Sequence, residues 1–234
     1  GGRCGTARQR VDVQWKTLRL TEKTGGGDYG ATARPVEERL KSLFPELSAS
    51  SKPSVIWMQD LEEEKDITKA DAIFQNENIG LAMKRFNCFK VDAQGIPDGD
   101  IKEKYMRQIG FHFFDPKGDA VGKPITGKRA LSMSGFNRAL EKTWGTVFTM
   151  TIKEYQKKMK KVLDGFDKVD IKKQAIDRDR ANLAKKPNPA KAKKVERDQA
   201  EMDKMRKGVE DLEKKIFDEC ALKPKYLGQE KDAE

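Results

Sequence analysis

Histidine occurs once in this chain, at position 112, and cysteine three times, at 4, 88 and 220. No two cysteines stand in C-x-x-C spacing, which excludes a zinc knuckle or redox dithiol made of neighbouring residues. With a single histidine and no second ligand near it, a histidine-based metal site or catalytic triad lacks its parts. His112, set between aromatics in GFHFF, is expected to be structural. No apolar run approaches the roughly 18–20 residues needed to span a bilayer, so a soluble chain is expected. Walker and Rossmann glycine loops are missing too, because GGGD (25–28) follows no buried strand and opens no helix. The acids and glycines of DAQGIPDGD (92–100) lack EF-hand spacing and a closing glutamate, and read as a turn. No cofactor or metal is expected.

What is abundant is charge. Of 234 residues 37% are charged and 36% hydrophobic, so the apolar side chains must be concentrated if any part is to bury a core, and they concentrate in the middle. The net charge of +10 favours anionic partners, whether nucleic acid, acidic protein or lipid headgroup.

Residues 1–34 are basic and glycine-rich, with only VDVQWKTLRL (11–20) alternating as a strand would, and are expected to form an extended arm. Pro35 opens a short amphipathic helix carrying Val36, Leu40, Leu43 and Phe44. Then the pattern becomes α/β over 35–148. SVIWMQ (54–59) is a strand, 67–86 a helix, FNCFKVDA (86–93) a strand and 101–108 a short helix. GFHFFDPKGDAV (110–121) holds a strand, a turn and the start of a returning strand, and SMSGFNRALEKTW (132–144) a helix that Ser134 can cap. Cys88 lies in an apolar run and is expected to be an inert core thiol, whereas Cys4 and Cys220 can pair only if the chain ends meet in an oxidising compartment.

This order, with KPSVIWMQ, FNCFKVDA and YMRQIGFHFFDPKGDAV followed by an amphipathic helix, resembles the thioredoxin-like superfamily over about residues 50–145. The resemblance implies a mixed sheet flanked by helices. It also places the family's redox cysteine pair just after the first strand, around Glu62 to Lys65, and its cis-proline at Gly110. Neither is present here: the acidic run Asp60, Glu62, Glu63, Glu64 stands at the first position. Carboxylates there would raise a thiol pKa and repel its thiolate, so the redox chemistry is expected to be lost. The acids at the start of the following helix complement its dipole, and Glu62, Glu63 and Glu64 are candidates for holding a basic partner or a cation. Export, with a leader already removed, is what the resemblance implies for location; a cytoplasmic home stays open.

From Ile152 the material changes. Ile152, Tyr155, Met159, Val162, Phe166, Val169, Lys173, Ile176, Arg180 and Leu183 alternate steps of three and four, and so do Val195, Asp198, Met202, Met205, Val209, Leu212 and Ile216. KKPNPAK (185–191) separates them with two prolines. Over 149–222 this predicts a long antiparallel coiled-coil hairpin with its turn about 185–191 and arms of about 45–50 Å; a polar tail, 223–234, follows. Lys185, Lys186, Lys191, Lys193, Lys194 and Arg197 crowd the turn without interleaved aromatics, which disfavours base stacking and leaves an anionic surface or acidic protein as the target. The expected function is that of a non-catalytic binding subunit of a larger assembly, a scaffold making protein–protein contacts. Two alternatives remain: an oxidoreductase using Cys88 alone, and a nucleic-acid-binding protein.

Overall fold

The computed structural model describes residues 5–17, 47 and 51–227. The helix read after Pro35 lies outside them. The chain divides into two compact units, Gly1–Val11 with Lys153–Ala221, and Asp12–Ile152 with Leu222–Glu234.

The second unit is α/β. Its sheet holds β1 (Trp15–Thr17), β2 (Ser54–Gln59), β3 (Asn87–Asp92), β4 (Gly110–Phe114) and β5 (Ile125–Thr126) in the order β1-β3-β2-β4-β5. β3 runs parallel to both β1 and β2, and β4 runs antiparallel to β2 and β5. All residues of β2 and β4 are buried, which is why these strands read as continuous apolar runs rather than alternating ones. Alternate residues of β2 point to opposite faces. Ile56 and Met58 join Phe89, Val91, Ile101, Tyr105 and Phe114 in one apolar cluster. On the other face Trp57 meets Phe111 at 5.3 Å between ring centroids, and Phe136 meets Phe111 at 4.9 Å and Phe74 at 5.3 Å. Such tilted and edge-to-face pairs stabilise by about 1 kcal/mol each beyond area burial.

The helices depart from their expected bounds for local reasons. The stretch read as one helix over 67–86 is two, α2 (Glu64–Ile73) and α3 (Glu77–Met83). Asn76 interrupts it: its side-chain oxygen accepts from the Asn78 and Ile79 amides at 3.0 and 3.3 Å, the favoured geometry of an N-cap. Asp98 likewise caps α4 (Gly99–Met106), accepting from Ile101 N–H at 3.1 Å. Ser132, not Ser134, caps α5 (Met133–Val147), its hydroxyl accepting from Gly135 N–H at 3.2 Å. After β4 the expected turn forms, with Gly118 N–H donating to Asp115 O at 3.0 Å and Val121 N–H to Phe113 O at 2.8 Å. The returning strand does not continue from Val121. Gly122 and Pro124 interrupt the ladder, since proline has no N–H to give it, and pairing resumes only at Ile125 opposite Phe111.

The other unit is helical. α6 (Ile152–Lys185) and α7 (Pro189–Glu219) are joined by 186–188, and Asn188 caps the second by accepting from Lys191 N–H at 3.1 Å. Val169 and Ile176 of α6 share one buried cluster with Val195 and Met202 of α7, with Leu183 and Met205 packed against it. Lys158 bonds Glu219 at 2.7 Å, Lys172 bonds Glu201 at 2.7 Å, and Arg180 donates to Gln199 at 3.0 Å. A Cβ added to Gly165 would lie 2.7 Å from a Val209 methyl, so the two helices approach closely there.

Residues 5–11 were expected to be part of an extended arm; Gly5–Val11 is instead a helix, α1. It is held from side chains of the long helices. The Thr6 amide and hydroxyl each donate to Asp170 at 2.7 Å. The Arg10 guanidinium sits 3.5 Å from the Phe166 ring centroid and donates to Glu213 at 3.2 Å. Ala7 and Val11 of α1 are buried. Among the described residues no helix is long and apolar enough to cross a membrane.

Candidate functional site

β2 ends at Gln59, and the chain turns through Asp60 to Glu63 before α2 begins at Glu64. Two bonds fix the turn: Glu62 N–H donates to the Asp60 carboxylate at 3.1 Å and Glu63 N–H to the Asp60 carbonyl at 3.1 Å. Beside it opens a cleft of 300 Å³. One wall is a stripe of α2 and its leading turn: Glu63, Asp66, Ile67 and Ala70 line it, at the three- and four-residue spacing that puts side chains on one helix face. Trp57 and Gln59 supply the end of β2, Gly110 the start of the adjacent β4, and Ile109, Ala130 and Leu131 also line the opening.

Gly110 is held to glycine by its surroundings. Its φ is +141°, a region side chains avoid, and an added Cβ would lie 2.0 Å from the Ile125 carbonyl oxygen. The close approach of β5 leaves no room for any other residue.

The cleft joins an apolar interior to a rim bearing the carboxylates of Asp60, Glu63 and Asp66. Asp66 has an exposed partner, Lys69, at 3.5 Å, and pairs of that kind contribute little. Gln59 lines the cleft and is 6% exposed. Its amide carries both a donor and an acceptor, so the position suits a ligand that supplies the complementary pair. The carboxylates do not converge: among the described residues no three side chains of His, Cys, Asp or Glu are grouped to hold a metal ion.

Of the residues singled out in the sequence, Glu63 and Gly110 meet in this cleft, while Glu62, Glu64 and Lys65 are exposed on the turn and helix start outside its lining. Gln59, Asp66, Ile67, Ala70, Ile109 and Gly127 were not anticipated. The α2 stripe has a signal in its spacing; Ile109 and Gly127 come from loops whose approach no local pattern announces. The turn cations Lys185, Lys186, Lys191, Lys193, Lys194 and Arg197 are all exposed and belong to the helical unit.

The thiol and the imidazole lie elsewhere. Cys88 is buried, with its Sγ 3.7 Å from the Met83 and Phe86 carbonyls. Burial pushes its pKa up to about 12, against the pull of Lys84 and Lys52. A thiol so held is a poor nucleophile. Cys220 is buried, and its suggested partner Cys4 lies outside the described residues. His112 donates from Nε2 to the Gln108 carbonyl at 2.9 Å and meets Tyr105 edge-on at 4.9 Å. The carbonyl accepts only, which places the neutral ring's proton on Nε2.

Comparison with protein-family models, with curated proteins and with solved structures finds no match to this chain.

Proposed function

We propose that the chain is a non-catalytic binding subunit of a larger assembly, built from a redox-inactive thioredoxin-like domain and an antiparallel coiled-coil hairpin. The cleft beside Gln59 is its docking site, and its occupant is a basic peptide segment of a partner protein. The observation that carries this is the combination in one cleft of an apolar interior, three carboxylates and the side-chain amide of Gln59. A lysine or arginine stem packs on apolar surface while its head meets carboxylates at the rim, and a peptide backbone offers the N–H and C=O that Gln59 can bond. The volume lies at the low end for ligand clefts, enough for one or two side chains. No thiol lines it, and the one thiol of the α/β unit is buried with its pKa raised.

The fold reading has its own support. The mixed five-stranded sheet with helices is compatible with that fold, and contacts between α6 and α7 run from Tyr155 with Phe217 through Gly165 with Val209 to Arg180 with Gln199. Successive positions on one helix thus meet progressively earlier positions on the other.

Two measurements test the function. Synthetic peptides alternating lysine or arginine with leucine are titrated against the full chain, with Trp57 in the cleft as fluorescent reporter. Binding should be lost in a D60N/E63Q/D66N variant and weakened by Gln59→Ala, with no response to glutamate-for-lysine peptides. Binding that ignores the triple change would remove the cleft from the proposal. Insulin reduction with dithiothreitol should stay at background; activity abolished by Cys88→Ser would make the protein an oxidoreductase.

A further inference from the structure

The α/β unit has a second cleft, of 460 Å³, between the segment entering β5 and the N-terminal half of α5. Lys123 comes from the first, Arg129 from the turn before the helix, and Arg138 and Lys142 from the helix itself. Four cations therefore line one opening, and no carboxylate does. Within the described residues none of the four takes part in an ion pair.

Their placement follows from the fold. Arg138 and Lys142 are four apart and share one face of α5, while Phe136, Leu140 and Trp144 are buried on another. Lys142 lies across the loop, its Nζ 3.3 Å from where a Cβ on Gly122 would stand. Ser132 and Ser134 line the same opening at the positive end of the helix. Ser132 already accepts from Gly135, and its hydroxyl proton goes to the Arg129 carbonyl at 3.1 Å; the Ser134 hydroxyl is the one available to a ligand.

Like charges gathered without a counter-charge repel, and the repulsion is relieved by an anion bridging them. Two arginines offer planar forks suited to oxygen pairs, and two lysines add point charges. A tetrahedral dianion uses that number of donors better than a single carboxylate does. We propose that this cleft is a binding site for a phosphate group, carried by a soluble phosphomonoester or by a lipid headgroup. It is separate from the acidic cleft, and neither reading depends on the other.

The test uses the full chain. Calorimetric titration with inorganic phosphate and with glycerol 3-phosphate, in chloride buffers of matched ionic strength, should show saturable binding. R138Q/K142Q should weaken it by about tenfold, two exposed charge contacts being removed. A variant with the same loss of charge elsewhere, K193Q/K194Q, should bind as the parent does. Trp144 fluorescence checks that the first variant remains folded. Co-sedimentation with vesicles of phosphatidic acid in phosphatidylcholine identifies the source: vesicle binding abolished by R138Q/K142Q supports a headgroup, and glycerol 3-phosphate binding without vesicle binding supports a soluble ligand. Equal weakening by both variants would reduce the effect to net charge and overturn the site, as would phosphate binding no tighter than chloride.

Discussion

His112 sits on a strand buried throughout, with its ring against Tyr105 and its Nε2–H on a backbone carbonyl. Burial lowers its pKa to about 4 from 6.5, with Lys104 adding to the shift and the Gln108 bond opposing it. In the unfolded chain the ring takes up its proton as pH falls through 6.5; in the folded protein it does so only near 4. Between those values the unfolded state binds more protons, so the stability His112 contributes is present above 6.5 and is lost as pH falls toward 4, by on the order of 3 kcal/mol. His112→Gln removes the titration and keeps a donor for the carbonyl. The stability difference between parent and variant, from urea unfolding, should shrink by about that amount from pH 7 to pH 4. A constant difference would mean that the buried ring titrates normally. That His112 packs among aromatic side chains is legible in its neighbours alone; that it would bond Gln108, four residues earlier across the α4–β4 turn, is not.

Among the elements, those with continuous apolar runs are read most directly from sequence, because a strand buried on both faces needs no partner to be recognised: SVIWMQ is β2 residue for residue. Elements fixed by one polar side chain or by a distant surface are not. Asn76 splits a helix that periodicity alone carries through, and α1 exists because Asp170, Phe166 and Glu213 wait for Thr6 and Arg10. The sites divide likewise. The charged run at 185–197 draws the eye, whereas Lys123, Arg129, Arg138 and Lys142 are spread over twenty positions and only the turn before α5 gathers them. For α6 and α7, the close approach of Gly165 to Val209 fixes a register in which Val169, one turn on, faces Met205. Cysteines at 169 and 205 should therefore crosslink within one chain under mild oxidation, read by mass spectrometry of the linked peptides. Links found only between chains would overturn the proposed hairpin in favour of an intermolecular coiled coil.

At the scale of the molecule, the two units carry different reporters. Trp15, Trp57 and Trp144 all lie in the α/β unit, so tryptophan fluorescence follows that unit alone. α6 and α7 contribute 34 and 31 residues of helix, so the far-ultraviolet helical signal is weighted toward the other. Phe166 sits at the centre of the helical unit, 1% exposed, with Arg10 stacked on its ring. Phe166→Ala removes both the buried ring and the surface that holds α1, a large-to-small change costing roughly 3 kcal/mol. In a unit of this size that lowers the midpoint by about 10–20 °C. The circular dichroism transition should move down by that amount while the fluorescence transition keeps its midpoint, because the described cluster around Ile56 and Met58 and the ring pairs of Trp57, Phe111 and Phe136 are made of side chains of the α/β unit. If both signals shift together, the units unfold as one cooperative body, and a binding surface on either would be coupled in stability to the other.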